Sequence, residues 1–301
     1  MSRIKILIFI ALAIGGLWYF VIKDYNYKVS FTISQSPGIV YNHLTKWNKG
    51  EGLNNKVLTN LEKIPFSEVT QKLVSGDSVF KINWKLEKKN DSTTLVVAKI
   101  KDEQHSFMQN LQVPFTKNAF VKQSISVVKA FSEILIQNEK HYRLSNVTES
   151  IIPSKNSVCI TLKSTTDTKA RGMLQGITSL MDYIKANNIE IKGNPLLEIT
   201  DWNIEKDSIS FNFCFPIEEK NDYPESKSVF IKKTEEKKAL KTIFNGNYKI
   251  SSVAWYQIID YAKINHIEIE NLPVEFYLSD PHAGGNNLEW EAEVYMPLKD
   301  R

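Results

Sequence analysis

The chain has 301 residues, of which 42% are hydrophobic, 24% charged and 11% aromatic, and a formal net charge of +4. This composition excludes collagenous and disordered classes, and the length fits about two domains, each able to bury its own core. So slight a charge, with short basic clusters that alternate with acids, excludes the basic stripe of a nucleic-acid binder, and no nucleic-acid partner is expected.

Residues 6–22 form a run of 17 residues without a charge. As a helix it would be about 26 Å long, close to the hydrocarbon thickness of a bilayer. Bulky aromatics stand where a cleavage site needs small residues, and Trp18, Tyr19 and Tyr25 suit an interfacial belt. The expectation is an uncleaved transmembrane anchor over 1–25, with membrane contact through 6–22. Arg3 and Lys5 place the N-terminus in the cytoplasm, which makes this a single-pass membrane protein with an extracytoplasmic body.

Residues 27–34 alternate as a strand, and Ser36 and Pro37 then cap and open a short helix. From about 67 to 113, alternation broken by turn residues predicts an antiparallel meander. Phe120, Val121, Ser124, Val127, Val128, Phe131, Leu135 and Ile136 then fall on one stripe, which predicts a long amphipathic helix. A curved sheet wrapped on one helix is an α+β arrangement with a concave space between the layers. The polar stretch 143–156 reads as a linker.

The second half is a duplication. Residues 181–197 and 259–275 align without a gap at an offset of 78, and Asp182/Asp260, Tyr183/Tyr261, Lys185/Lys263, Ile189/Ile267, Glu190/Glu268 and Pro195/Pro273 are identical pairs. Each copy runs on into a strand that closes on a proline, at 208–217 and 288–298. Two copies are too few for a solenoid, so a pseudo-symmetric pair sharing one sheet, with a cleft between the halves, is predicted. Each copy reads strand–helix–strand–strand. In the second copy the first strand is read at 228–235 and residues 239–249 are read as a connector.

Cys159 and Cys214 lie in separate predicted strands. Two readings stand: a disulfide, if the body is extracytoplasmic, or two small buried hydrophobes. The second is preferred, because Cα proximity is not legible in a sequence. The five histidines are scattered without metal-ligand spacing, so no metal and no cofactor are expected.

In the last strand Glu291, Glu293 and Tyr295 share one face, while Trp290, Ala292 and Val294 share the other. A carboxylate beside a tyrosine is either exposed or held in a pocket. A pocketed one would attract a cation, with aromatic walls adding about 0.5–2 kcal/mol each. Trp255, Tyr256, Tyr277, Phe211 and Phe213 are candidate walls, with ordinary core packing as the competing reading for each.

Two resemblances sharpen this. Ser36, Pro37, Val40, Tyr41 and Trp47 follow an entering strand as in the START-like superfamily, also called SRPBCC or polyketide cyclase-like, over about 26–143. That resemblance implies a helix-grip domain at 26–145, as a working pocket or a purely structural body. Gly246 and Tyr248 before the second helix, the strand at 274–281 and the terminal run 292–298 resemble the GyrI-like, or effector-binding, domain, placed at 150–301. The likeness implies a cleft between two modules that takes cationic, aromatic or amphipathic molecules, with Glu293 at the family's acidic position and Asn212 at the matching place in the first copy. The expected function is therefore a membrane-anchored small-molecule-binding protein with an amphipathic or cationic ligand. Glu293, Tyr295, Trp255, Tyr256, Tyr277, Phe211 and Phe213 are the expected ligand-binding residues. Two alternatives stay open: a hydrolase of small electrophiles using Glu293 and Tyr295, and a non-catalytic envelope protein that binds a protein partner. No catalytic residue is assigned.

Overall fold

The computed structural model describes residues 3–48, 53, 56–90, 93–220 and 222–299. The chain divides into two units, Met1–Ile136 and Gln137–Arg301.

The expected membrane helix is corrected at the outset. Helix α1 spans only Arg3–Leu17, and the chain then widens into a π-helical turn at Trp18–Ile22. Fifteen residues give about 22 Å of helix, short of the roughly 30 Å hydrocarbon core. No helix among the described residues is long and apolar enough to cross a membrane. The aromatic run that ends the segment is held within the first unit, where the Tyr19 hydroxyl donates to the Asn110 carbonyl at 2.9 Å and Phe20 packs on Phe107.

In the first unit β1 (Tyr27–Ile33) leads to α2 (Pro37–Lys46), whose N-cap Ser36 accepts from the Ile39 amide with Pro37 in the first turn. Strands β2 (Leu58–Ile64), β3 (Glu68–Ser75), β4 (Ser78–Asn90) and β5 (Thr93–Asp102) follow as an antiparallel meander. The sheet order is β1-β5-β4-β3-β2. After α3 (Ser106–Gln112) the long α4 (Ala119–Glu139) buries Phe120, Val121, Ser124, Val127, Val128, Phe131 and Leu135, the stripe read from the sequence except for Ile136, which is exposed. Stacked rings occupy the interior. Trp47 and Trp84 lie 5.2 and 5.3 Å from Phe131 between centroids, and fully buried Gln71 accepts from Trp84 Nε1 and donates to the Leu44 carbonyl.

The second unit holds one nine-stranded antiparallel sheet. Its elements are β6 (Tyr142–Leu144), β7 (Thr148–Ile152), β8 (Asn156–Ser164), α5 (Lys169–Ala186), β9 (Leu196–Asn203), β10 (Ser208–Pro216), β11 (Phe230–Lys233), β12 (Lys237–Gly246), α6 (Val253–Ile264), β13 (Val274–Tyr277) and β14 (Glu291–Pro297). The order β8-β10-β9-β13-β14-β12 is symmetric about the β9–β13 contact, so the two copies meet edge to edge at their third elements. The first strand of the second copy is β12, not residues 228–235. The residues read as a connector form that strand, and Phe230–Lys233 instead add an edge strand to β8.

Helices α5 and α6 pack on one face of this sheet, α5 over β8 and β10 and α6 over β12 and β14. Gly176 lets α5 approach, since a Cβ there would stand 3.1 Å from Leu162 and 3.3 Å from Ile160. Strand alternation then sorts the side chains. Phe211, Phe213, Phe215, Glu275, Tyr277, Ala292 and Val294 point to the helices, and Asn212, Cys214, Val274, Phe276, Glu293 and Tyr295 point away. Cys159 and Cys214 are direct partners across β8 and β10 and form a disulfide, so the preferred reading of two free buried thiols is replaced.

Candidate functional site

The innermost polar group of the second unit is Glu275. Strand β13 is buried at all four of its positions, so a carboxylate there must find its partners inside the protein. Both copies supply them. Lys169, the first residue of α5, is fully buried, and its Nζ donates to Glu275 Oε2 at 3.1 Å, to Ser251 Oγ at 2.6 Å and to the Tyr248 carbonyl at 3.0 Å. Ser251 and the Tyr277 hydroxyl donate to the same carboxylate oxygen at 2.7 and 2.5 Å, and Trp255 Nε1 donates to Oε1 at 2.6 Å. Burial pulls the Lys169 pKa below its ordinary value and the Glu275 carboxylate opposes it. Burial and the same carboxylate push the Tyr277 phenol well up. The Lys169–Ser251 spacing suits a Ser–Lys dyad, but this lysine has three acceptors, one of them a carboxylate, and Ser251 is fully buried. The cluster is built to clamp the copies together rather than to attack a substrate.

Beside the cluster lies a cavity of about 590 Å³ between the copies. Helix α5 contributes Met173, Ile177 and Met181, β10 contributes Phe213 and Phe215, and the second copy contributes Tyr248, Tyr277 and Trp290. Tyr248 is 4.7 Å from Tyr277 and 6.0 Å from Trp290 between ring centroids. Its hydroxyl is 2.7 Å from the Glu291 carbonyl and 3.1 Å from that of Ser279, which fixes the ring. The charged residues of the lining are Lys249 and Asp280, both exposed and opposite in sign.

Glu293 and Tyr295 are on the other face. Glu293 accepts from Lys241 Nζ at 2.6 Å and from the Tyr295 hydroxyl at 2.7 Å. Burial raises the Glu293 pKa, but the Lys241 and Tyr295 hydrogen bonds outweigh it and leave the carboxyl below its ordinary value. Burial and Glu293 push Tyr295 up. A second cavity of about 460 Å³ opens on this face over Leu196, Val274 and Phe276, flanked by the pairs Lys232–Glu198 and Lys237–Glu270.

The residues expected from the sequence therefore divide. Tyr277 and Phe213 line the cavity on the helix face. Trp255 stands behind it on Glu275, and both it and Tyr256 pack against Trp202. Phe211 is fully buried beside Gly172. Sequence reasoning missed Glu275, Lys169 and Ser251, and did not count Tyr248 or Trp290 among the walls. The available signal was an acid inside the otherwise apolar, turn-bounded strand 274–277.

Residues 152–299 match the family described as GyrI-like small molecule binding domain. The C-terminal domain of EcmrR is a solved structure similar to this chain, at 16% identity, covering 52% of this chain and 98% of that one with a TM-score of 0.45. A hydrolase from Listeria innocua is 13% identical over 55% of this chain and 98% of that one, with a TM-score of 0.34. SAV2435 bound to tetraphenylphosphonium is 10% identical over 52% and 94%, with a TM-score of 0.31. No curated protein matches the chain.

Proposed function

From the GyrI-like small-molecule-binding domain at residues 152–299, we propose that the chain binds a compact, largely apolar molecule with an aromatic part in the cavity between the two copies. The observation that carries this is the cavity itself. Its volume of about 590 Å³ falls in the range of small-molecule sites, and its walls are methionine, isoleucine and aromatic rings. Methionines on α5 give a deformable wall, and the Tyr248–Tyr277–Trp290 group gives a flat one. A cation paired with Glu293 has less support, because Glu293 already holds Lys241 and faces away from this cavity. For the first unit we propose a START-like helix-grip fold serving as a closed structural body. The rings of Trp47, Trp84 and Phe131, packed where a cavity would open, support it.

The test is a titration of the full chain with the uncharged fluorophore N-phenylnaphthylamine. Ile177→Trp puts an indole into the cavity and should weaken binding by about tenfold or more, equivalent to about 1.4 kcal/mol. Unchanged affinity in a variant that keeps its circular dichroism would refute the assignment.

A further inference from the structure

A carboxylate set behind two aromatic rings next to an apolar cavity is a cation site on electrostatic grounds alone. Its charge is poorly screened there and the ring faces add to the attraction. In this chain the position is already filled. Lys169 Nζ lies 3.1 Å from Glu275 Oε2, and 5.7 and 6.0 Å from the ring centroids of Trp255 and Tyr277. The ammonium has a full set of acceptors and both side chains are wholly buried, so nothing of the pair's charge is left for a ligand. We propose that Lys169 is a built-in counter-ion: it occupies the cation site formed by Glu275, Trp255 and Tyr277, and so makes the cavity select uncharged aromatic ligands. This rests on the cavity assignment above.

The connection between cluster and cavity is short. Ala170, the residue after Lys169, lines the cavity, and Tyr277 has its ring in the wall and its hydroxyl on Glu275. Truncating Lys169 to alanine would open the volume of its stem toward Glu275. The carboxylate would keep three donors, from Ser251, Trp255 and Tyr277. A ligand ammonium could then take the vacated place.

The experiment compares two probes of one shape, naphthylmethyl-trimethylammonium and its uncharged carbon isostere neopentylnaphthalene, on the full chain. The wild type should bind the isostere at least about tenfold more tightly than the cation. Lys169→Ala should shift that ratio toward the cation by at least about tenfold, and Lys169→Ala with Glu275→Gln should cancel the shift. A ratio that moves less than about threefold in Lys169→Ala, while the isostere still binds, overturns the counter-ion role and leaves the cavity assignment standing. If neither probe binds the wild type, the cavity assignment itself fails. Should Lys169→Ala not fold, the wild type decides: cation affinity equal to the isostere's overturns the proposal, and the expected preference upholds it.

Discussion

Replacing Glu275 by glutamine should be among the most damaging single changes in the second unit. Glutamine keeps the shape and one acceptor for Trp255 Nε1 or Ser251, but leaves the Lys169 ammonium with no counter-charge at full burial. Breaking a buried pair in this way costs about 3–5 kcal/mol, most of it the penalty of the stranded charge. Removing that charge as well should therefore rescue part of the loss, so Lys169→Met with Glu275→Gln is expected to be more stable than Glu275→Gln alone. The opposite face supplies the control. Glu293 and Lys241 are paired at 2.6 Å but remain 27% and 22% exposed, and Glu293→Gln should cost no more than about 1 kcal/mol. Native-state hydrogen exchange at the β13 and α6 amides reads these quantities in the full chain without assuming that the two units unfold together. In Glu275→Gln these amides should exchange about two to four orders of magnitude faster than in wild type, and in Glu293→Gln within about fivefold of it. The reasoning is refuted if Glu275→Gln costs less than about 1 kcal/mol, or if the double variant is less stable than the single one.

The Cys159–Cys214 disulfide closes a separation of 55 residues, for which chain entropy gives about 4 kcal/mol. Reduction by dithiothreitol should lower the melting temperature of the second unit, and an unchanged melt would show that the cross-link adds nothing to the register of β8 and β10. Five tyrosines, Tyr142, Tyr183, Tyr248, Tyr277 and Tyr295, are raised above the ordinary value of 10.0, in each case chiefly by burial. A phenol raised on folding contributes stability that is complete below pH 10.0 and is lost as pH climbs toward its folded value, because the unfolded chain gives up that proton first. Urea midpoints should therefore fall above about pH 10, with a set of phenols that ionises only on unfolding. Tyrosine absorbance that titrates in one step near that pH without unfolding would contradict it.

The repeat was the most legible feature of the chain, and it held more than was taken from it. At the offset of 78, the first strand of copy one, β8, maps onto the region of β12. The segment 228–235 looked like a strand by its own composition, and it is one, but as an added edge on β8. Local alternation shows that a strand forms, not which neighbour it joins. The ends of the N-terminal helix were illegible for a related reason. An uncharged run sets no boundary, and the π-helical turn at Trp18–Ile22 makes contacts to α3, such as Tyr19 to Asn110, that lie 91 residues away in the chain.

The site itself lies where the two copies differ. At the same offset Lys169 corresponds to Asn247 and Glu275 to Leu197, so each copy carries one half of the buried pair at a position its sibling fills with an uncharged residue. The contact is therefore made once, from Lys169 to Glu275, and its pseudo-symmetric counterpart, Asn247 with Leu197, carries no charge. Strand parity alone put Glu293 with Tyr295 on one face of β14, and that pairing is present, 2.7 Å from hydroxyl to carboxylate. What parity could not decide was which face the helices cover. Glu275 carried that information in its setting, an acid between Val274 and Phe276 in a strand with no exposed position. Such a residue demands partners inside the protein, hydrogen-bond donors or a cation. The sequence contains the demand, but its answer is 106 residues upstream at the first turn of the other copy's helix, and only the closed sheet brings the two together.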